Sequence, residues 1–226
     1  PSVKMGFLFL TILPSTVQSS IAFTSMARGN VAAAVCTASL SNMLGVFITP
    51  LLAGLLMRSE LQSGGGDMLG VMRSIMLTLL APFIIGHLSR PLIGRWIDRN
   101  KAILSKLDRG AILLVVYTAF SAAVVEGIWQ RVSALDIATI LLVSAVVLTV
   151  VLLVTRRTAH LTGLSKENEI TLVMCGSKKS LASGVPMAAA MFAPAQVGVI
   201  ILPLMIFHQL QLIVCAIIAR NYGERD

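Results

Sequence analysis

The sequence predicts an all-α polytopic membrane protein, and two features of its composition carry that prediction. Apolar residues make up 56% of the 226 residues, whereas only 12% are charged, which is about half the share found in soluble domains. The stretch 31–57 contains 27 residues without a formal charge, and a bilayer crossing needs about 20 apolar residues. A soluble core helix of that length is improbable. The composition therefore indicates a bundle of membrane-spanning helices.

Seven apolar segments follow one another along the chain. Short polar or glycine-containing stretches separate them, and Gly29-Asn30 and Ala193-Pro194 provide tight turns between neighbours. We predict membrane segments at residues 5–27, 31–57, 70–89, 110–129, 134–155, 168–192 and 195–219.

Two of these segments are interrupted near their middle. The first carries a run of small polar residues after Pro14, and the sixth carries the run 176–180, which includes two adjacent lysines. Hydrocarbon offers non-helical backbone and charge no partner, so such interruptions survive only where they are buried in protein or line a cavity. A pair of interrupted helices in corresponding halves of a sequence points to the binding site of a transporter. The sequence therefore favours a membrane transporter.

The two interrupted segments also resemble each other. Residues 18–22 (QSSIA) are similar to residues 178–182 (KKSLA), and each run is followed by a methionine, a turn and an uncharged helix with a Pro-Leu step. Chance likeness between apolar helices is the alternative explanation. We expect an inverted repeat, with 1–58 as the last two helices of the first repeat, 59–69 as an external linker and 70–226 as the second repeat. The symmetry also leads us to expect three more helices before residue 1.

Basic residues predict the orientation of the helices. Lysine and arginine cluster in the stretches 90–109, 156–166 and 220–225, and they are sparse at the opposite ends of the segments. By the positive-inside rule, these stretches and the C-terminus are expected on the cytoplasmic side of a bacterial-type inner membrane. The same distribution explains the net charge of +8 without a nucleic-acid partner, so the expected partners are the lipid bilayer and a small substrate.

Several other classes of function find little support in the sequence. Cys36, Cys175 and Cys215 lie within apolar segments and give neither a disulfide framework nor metal-ligand spacing. The chain contains no HExxH motif, no nucleophile elbow and no carboxylate at mid-membrane depth, so we expect neither an enzyme nor an organic cofactor. A channel or a transport-inactive regulator remains an alternative, although most helices are apolar nearly all round, which disfavours a channel.

Three blocks of sequence carry a family resemblance. They are PSTVQSSIAFTSMARGNVAAAVC at 14–36, CGSKKSLA at 175–182 and LPLMIFHQLQ at 202–211. With these blocks the chain resembles the bile acid:sodium symporter superfamily, and within it the bacterial branch. The resemblance covers essentially the whole chain. It implies ten helices in two inverted five-helix repeats, with broken helices that cross at the centre near Ser20 and Ser180.

The resemblance also implies sodium ligands, and several of the aligned positions lack them. Ser19 and Ser20 match a Ser-Asn pair that helps to bind sodium in the family, and Thr37 is the one hydroxyl among the aligned positions of the next helix. The family's glutamate and glutamine of the second broken helix fall at Met174 and Lys178. Sodium requires several oxygen ligands, whereas methionine is apolar and lysine only donates hydrogen bonds. Sodium is therefore a doubtful cofactor here.

The two lysines are expected to matter because of their depth in the membrane. Lys178 lies some ten residues from either end of its segment, which is on the order of 15 Å from either interface. We expect at least one lysine to line a cavity, either as a built-in cation or as a group that exchanges a proton during transport. Consecutive helical residues point about 100° apart, so Lys178 and Lys179 are not both expected at one site.

A central positive charge and half-helix N-termini favour an anionic substrate, and the resemblance implies an organic anion. His208, Gln209 and Gln211 form a polar stretch of the last segment, which either packs against other helices or lines the cavity. The residues expected at the substrate or ion site are Gln18, Ser19, Ser20, Thr24, Thr37, Ser177, Lys178, Lys179, Ser180, His208 and Gln209.

Overall fold

A computed structural model describes residues 2–57, 68–125, 127 and 133–225. Throughout these ranges the regular structure is α-helical, which confirms the predicted all-α class for the described residues. The helices are α1 (Ser2–Ile12), α2 (Gln18–Met26), α3 (Val31–Leu56), α4 (Met68–Arg99), α5 (Lys101–Val125), α6 (Ala134–Leu161), α7 (Lys166–Gly176), α8 (Leu181–Met191) and α9 (Pro194–Gly223).

Three stretches of the described residues are long and apolar enough to cross a membrane. They are Val31–Leu56, Ala134–Leu161 and Gln196–Gly223. Helix α6 buries only a narrow stripe that includes Ile140 and Leu148, and most of its other apolar side chains are exposed, as suits contact with lipid. The structure thus supports a helical membrane protein, while the count of seven segments and the ten-helix architecture stay predictions.

Both predicted interruptions are present as breaks between paired half-helices. The first break covers 13–17 between α1 and α2, and the second covers 177–180 between α7 and α8. Pro14 lies in the first break, where it supplies no backbone N–H to a helix. In the second break Ser180 caps α8, because its hydroxyl accepts the backbone N–H of Ser183 at 3.1 Å.

The two broken helices run in opposite directions through the bundle. The turn after α2 meets the beginning of α7, where the backbone N–H of Asn30 donates to the carbonyl of Glu167 at 3.1 Å. At the opposite end, Phe9 of α1 contacts Phe192, which follows α8, with ring centroids 5.6 Å apart. An inverted repeat requires this antiparallel arrangement; the repeat itself and the proposed domain boundaries stay predictions.

Helix α9 lies at the centre of the apolar core. Its residues Ile201, Leu204 and Phe207 are buried against α1 and α8. Helix α1 approaches α9 closely at Gly6, where a Cβ atom would lie 2.7 Å from the carbonyl oxygen of Ile200, so only glycine fits there. This close packing brings the next turn of α9, which is polar, against both helix breaks.

The basic region predicted as a loop is helical instead. Helices α4 and α5 continue toward each other and are joined at Asn100, whose backbone N–H bonds to the carbonyls of Trp96 and Ile97. The helices that contain the predicted membrane segments 70–89 and 110–129 therefore continue through the basic region, because arginine and lysine are good helix formers. The six basic residues concerned are Arg90, Arg95, Arg99, Lys101, Lys106 and Arg109.

The expected external linker at 59–69 lies outside the described residues except for its last two positions, which already belong to α4. The cytoplasmic side of the C-terminus and the inner-membrane location stay predictions.

Candidate functional site

The two helix breaks meet at the centre of the bundle and exchange hydrogen bonds. The backbone N–H of Ser180 donates to the carbonyl of Pro14 at 2.9 Å. The hydroxyl of Ser15 donates to the carbonyl of Cys175 at 2.6 Å, and that of Ser20 to the carbonyl of Met174 at 3.4 Å. Each break therefore satisfies backbone groups that the other leaves without a helical partner. The crossing that the resemblance implied near Ser20 and Ser180 is present.

The carbonyls of five consecutive residues at the first break, 11–15, all accept hydrogen bonds from other elements. Lys179 donates to the carbonyls of residues 11 and 13, and the hydroxyl of Thr49 donates to that of residue 12 at 2.8 Å. The backbone N–H of Ser180 donates to the carbonyl of residue 14, and the side-chain amide of Asn42 donates to that of residue 15 at 2.6 Å. This full pairing explains how the chain can unwind at a depth where water does not reach.

Lys179 binds the end of the first half-helix. Its Nζ donates to the carbonyl of Thr11 at 2.8 Å and to that of Leu13 at 2.9 Å. These oxygens belong to the last turn of α1 and to the break behind it, where helical N–H partners run out and the helix dipole is negative. The ammonium therefore lies where a bound cation would be stabilised.

Lys178 binds the second half-helix of the same pair. Its side chain is buried, its Nζ donates to the carbonyl of Ser19 at 3.1 Å, and it lies 3.7 Å from the centroid of the Phe23 ring. The aromatic face supplies a cation–π contact in place of further oxygens. The two lysines thus occupy different places, and both contact the first broken helix. Because they lie in the break 177–180, their separation does not follow from the spacing of about 100° between helical residues.

Neither lysine has a carboxylate partner among the described residues. The ion pairs in this part of the chain involve Asp98, Glu169 and Glu224, all at helix ends remote from the crossing. A buried ammonium without an anion is costly. The carbonyl dipoles and the aromatic ring compensate for part of that cost, and the crossing keeps a net positive charge.

Gln211 of α9 holds the unwound backbone of the second break. Its Oε1 accepts the backbone N–H of Lys179 at 2.8 Å, and its Nε2 donates to the carbonyl of the same residue at 2.9 Å. Nε2 also lies 2.8 Å from Nδ1 of His208. The Nε2 atom of Gln211 is its NH₂ group, because it donates to the Lys179 carbonyl. Nδ1 of His208 therefore accepts a hydrogen bond from this NH₂ group, and the ring proton of His208 is on the other ring nitrogen.

A cavity of about 420 Å³ opens beside the crossing. Both half-helix N-termini contribute to its wall, with Gln18 and Ser19 from α2 and Ser183 from α8, and His208 and Asn42 complete the polar part. The N-cap position of α2 has no side-chain cap, which leaves N–H groups at its first turn for a ligand. The arrangement offers a positive, hydrogen-bond-donating wall of the kind that suits an anion.

Thr37 lies apart from the other predicted sodium ligands. Its hydroxyl donates to the carbonyl of Ala33 in its own helix at 2.7 Å, and it lines a different cavity of about 380 Å³ between α3 and α7. The hydroxyls of Ser19 and Ser20 instead meet at Thr16, whose Oγ1 lies 2.7 Å from the first and 3.4 Å from the second. The structure therefore does not bring the three predicted ligands together.

Three further predicted residues face away from the cavity. Gln209 is exposed on the outer side of α9, next to an apolar groove. The hydroxyl of Ser177 donates back to the carbonyl of Val173 in α7 at 2.7 Å. Thr24 is fully buried, and its Oγ1 has no hydrogen-bond partner among the described residues.

The structure adds Asn42, Thr16 and Ser183 to the residues predicted at the site. Asn42 links the two breaks, since it donates to the carbonyl of Ser15 and its Oδ1 accepts the hydroxyl of Ser183 at 2.9 Å. A signal was present in the sequence, because Asn42 is an amide within the long uncharged stretch 31–57. Such a polar residue in a membrane helix faces the bundle interior.

Comparisons with known proteins agree with this architecture. The family model described as the SBF-like CPA transporter family matches residues 1–224. The chain is 55% identical over 225 residues to "Putative symporter YfeH" of Escherichia coli, covering 100% of this chain and 67% of that protein. It is 54% identical over 225 residues to "Uncharacterized protein PA2026" of Pseudomonas aeruginosa, with the same coverage of 100% and 67%.

A more distant relative is "Sodium/bile acid cotransporter 7" of Xenopus tropicalis, which is 26% identical over 221 residues, covering 94% of this chain and 62% of that protein. The match of the family model to nearly the whole chain and the high identity to the bacterial relatives lead to one conclusion. The chain belongs to the SBF-like CPA transporter family.

Proposed function

We propose that the protein is a secondary active carrier of an organic anion in which lysine ammonium groups take the place of coupling cations. The observation that carries the proposal is the placement of the Lys178 and Lys179 ammonium groups on backbone carbonyls of the first broken helix, without a carboxylate partner in the part of the chain that the structure describes. Membership of a transporter family supports a carrier rather than an enzyme. The substrate class and the role of the lysines are our inference.

The residues at the crossing fit a sodium ion poorly. A sodium ion near Ser19 would compete with the Lys178 ammonium for the same carbonyl, which lies 3.1 Å from Nζ, and two cations at such a distance repel each other strongly where water is excluded. The hydroxyl of Thr37, another ligand that the resemblance offered, bonds within its own helix and lines a different cavity. We therefore propose that transport does not require sodium.

The cavity beside the crossing supports an anionic substrate. The N-termini of two half-helices contribute to its wall, and His208 is one of its lining residues. The lining residues do not include Lys178 or Lys179, but Lys178 donates to the carbonyl of Ser19, which lines the cavity. Its volume of about 420 Å³ falls within the range of small-molecule sites. An organic anion with a compact charged group and an apolar body would match both the polar wall and the apolar surroundings.

Two alternatives differ from this proposal in what they predict. In a proton-coupled carrier, Lys178 would gain and lose a proton in each cycle, so uptake would follow a pH gradient and lose that dependence in Lys178→Gln. In a transport-inactive regulator, anions would bind without crossing the membrane. Within the described ranges Lys178 has no carboxylate partner, and this observation keeps the proton-coupled alternative open.

The first test measures ion binding without any need for the substrate. The full-length protein in detergent is heated in NaCl and in KCl of equal concentration between pH 5 and pH 8. Because a ligand of the folded state raises apparent stability by mass action, we expect equal unfolding temperatures in the two salts. A sodium-specific rise would contradict the proposal.

The second test measures transport in proteoliposomes. Taurocholate and a steroid sulfate serve as probe anions, and a quaternary ammonium compound serves as the cationic control. We expect saturable uptake of an anion with counter-flow and without a sodium requirement. Lys178→Gln should reduce uptake at least about tenfold, as expected for an interaction of roughly 1.4 kcal/mol. Lys106→Gln, which changes an exposed lysine of α5, should have no effect. Counter-flow of the quaternary ammonium compound but of neither anion would contradict an anion carrier.

A further inference from the structure

A second site lies at the end of the bundle where α6 and α9 finish, away from the crossing. A groove of about 360 Å³ runs between these helices and reaches α7 at Val173. Its wall is apolar along one part and basic at the end. The lining residues are Leu152, Leu153, Arg156, Val173, Ile218, Asn221, Tyr222 and Arg225.

The basic end of the groove is held in place by a buried ion pair. Glu169 is almost fully buried, and both of its oxygens lie 2.8 Å from Nζ of Lys166. The hydroxyl of Tyr222 donates to Oε1 of Glu169 at 3.1 Å. His160 lies 4.0 Å from the other oxygen. Lys166 thus forms the close ion pair with this carboxylate, whereas Arg156 and His160 lie 4.0 Å from it.

Two arginines remain available for a ligand at this end. Arg156 has a side chain that is 60% exposed, and its Nε lies 4.0 Å from Glu169, too far for a hydrogen bond. Arg225 lies 4.5 Å from the centroid of the Tyr222 ring and donates only through Nε, to the carbonyl of Tyr222. Its two Nη groups therefore stay free for a ligand. Glu167 is the acidic group that interacts with Arg225.

The position of the groove indicates what kind of anion it receives. Helices α6 and α9 are both long and apolar enough to span a membrane, so their shared end lies at a membrane interface. Arg156 is one helical turn beyond Leu152, which is about 6 Å along the axis. The basic end then lies at headgroup depth and the apolar part lies beside the acyl chains. A soluble anion would gain nothing from Leu152, Leu153 and Ile218.

We propose that this groove is a binding site for an anionic glycerophospholipid, with its phosphate between Arg156 and Arg225 and one acyl chain along the leucine wall. Arginine binds phosphate through paired N–H groups, and basic pockets between membrane helices recognise anionic headgroups. The site is separate from the proposed substrate cavity and does not depend on the proposed transport activity.

The test measures lipid retention by native mass spectrometry on the full-length protein in detergent. Phosphatidylglycerol and phosphatidylcholine of identical acyl chains are titrated against wild type, Arg156→Gln and Arg225→Gln. The matched control is Arg157→Gln, which makes the same change at the neighbouring exposed position outside the groove. We expect wild type to prefer phosphatidylglycerol and each groove variant to bind it about fivefold more weakly, while Arg157→Gln behaves as wild type.

Three outcomes would overturn the proposal. Equal retention of the two lipids by wild type would mean that no headgroup site exists. Equal loss in Arg157→Gln and Arg156→Gln would assign the effect to general surface charge. Displacement of phosphatidylglycerol by inorganic phosphate at similar concentration would identify a soluble-anion site instead. Because Arg156, Arg157 and Arg225 are exposed, the variants are expected to fold, and a symmetric gel-filtration peak checks this.

Discussion

The hydrogen bonds of Gln211 provide the sharpest test of the crossing. Gln211→Met keeps the length and much of the volume of the side chain but removes its amide. The backbone N–H and carbonyl of Lys179 then lose partners at 2.8 and 2.9 Å in a part of the bundle where Gln211 itself is fully buried. Gln209→Met is the matched control, because Gln209 is exposed two residues away on the same helix.

The expected size of the effect follows from the number of groups left unpaired. An unsatisfied buried polar group costs about 1–3 kcal/mol. The Lys179 carbonyl keeps a neighbour, since Nδ1 of His208 lies 3.3 Å away and can donate after a change of tautomer. We therefore expect the free energy of unfolding to fall by about 3 kcal/mol, which is the upper value for one unsatisfied group.

The assay is thermal unfolding of the full-length protein in detergent. A loss of 3 kcal/mol lowers the unfolding temperature by roughly 6–12 °C in a chain of about 200 residues. Gln211→Met and Gln209→Met should differ by at least about 5 °C. If both variants unfold within 1–2 °C of wild type, the second break does not depend on Gln211 and the reasoning is wrong.

Two further substitutions test how the first broken helix is held. Gly45→Ala should lower stability by about 1–3 kcal/mol, because the added Cβ would lie 2.7 Å from the ring of Pro14. Gly86→Ala is the control, because its added Cβ would meet nothing within 4 Å. It should be neutral or slightly stabilising in the same thermal assay. Asn30→Ala should cost about 1–2 kcal/mol, because it removes the N-cap of α3 and the hydrogen bond to Asn168 at 3.0 Å. An unchanged unfolding temperature in Asn30→Ala would contradict a capping role.

The helix breaks are predictable from the sequence because the reason for them is local, whereas their crossing is what the family resemblance implies. Proline, small hydroxyl residues and lysines within apolar segments cannot be accommodated in hydrocarbon as an unbroken helix. That constraint is readable at 14–20 and at 176–180 without any knowledge of tertiary contacts. The same reasoning predicts that at least one lysine lines a cavity. In the structure Lys178 is buried and donates to the carbonyl of Ser19.

The sequence could not tell which polar residues of α9 face the breaks. Gln209 and Gln211 are two positions apart, so their side chains point about 200° apart on the helix. Both are glutamines, so residue type does not distinguish them. In the structure Gln211 is fully buried against the second break, whereas Gln209 is exposed on the outer side of α9. Thr37 shows the same difficulty, since alignment to the family gave its place in the chain but not the direction of its side chain.

The helical course of residues 90–109 was also beyond the sequence argument. The cluster of basic residues in this stretch predicts a loop, although arginine and lysine are compatible with a helix. A charge pattern shows where a chain leaves the apolar phase, and it does not show where a helix ends. In α4 and α5 these two points are separated by two to three turns.

The pairing at the crossing bears on how the protein could move. The carbonyls of residues 11–15 all accept hydrogen bonds from α3 or from the second break, and the second break is held in turn by α9. Any motion that separated the two broken helices would leave several of these buried groups unpaired at about 1–3 kcal/mol each. A motion that carried both broken helices together with α3 and α9 would break none of them. For the carrier proposed above, movement of the crossing as one body therefore costs the least free energy. Each of the two lysines binds a different half of the first broken helix, so both contribute hydrogen bonds to that body.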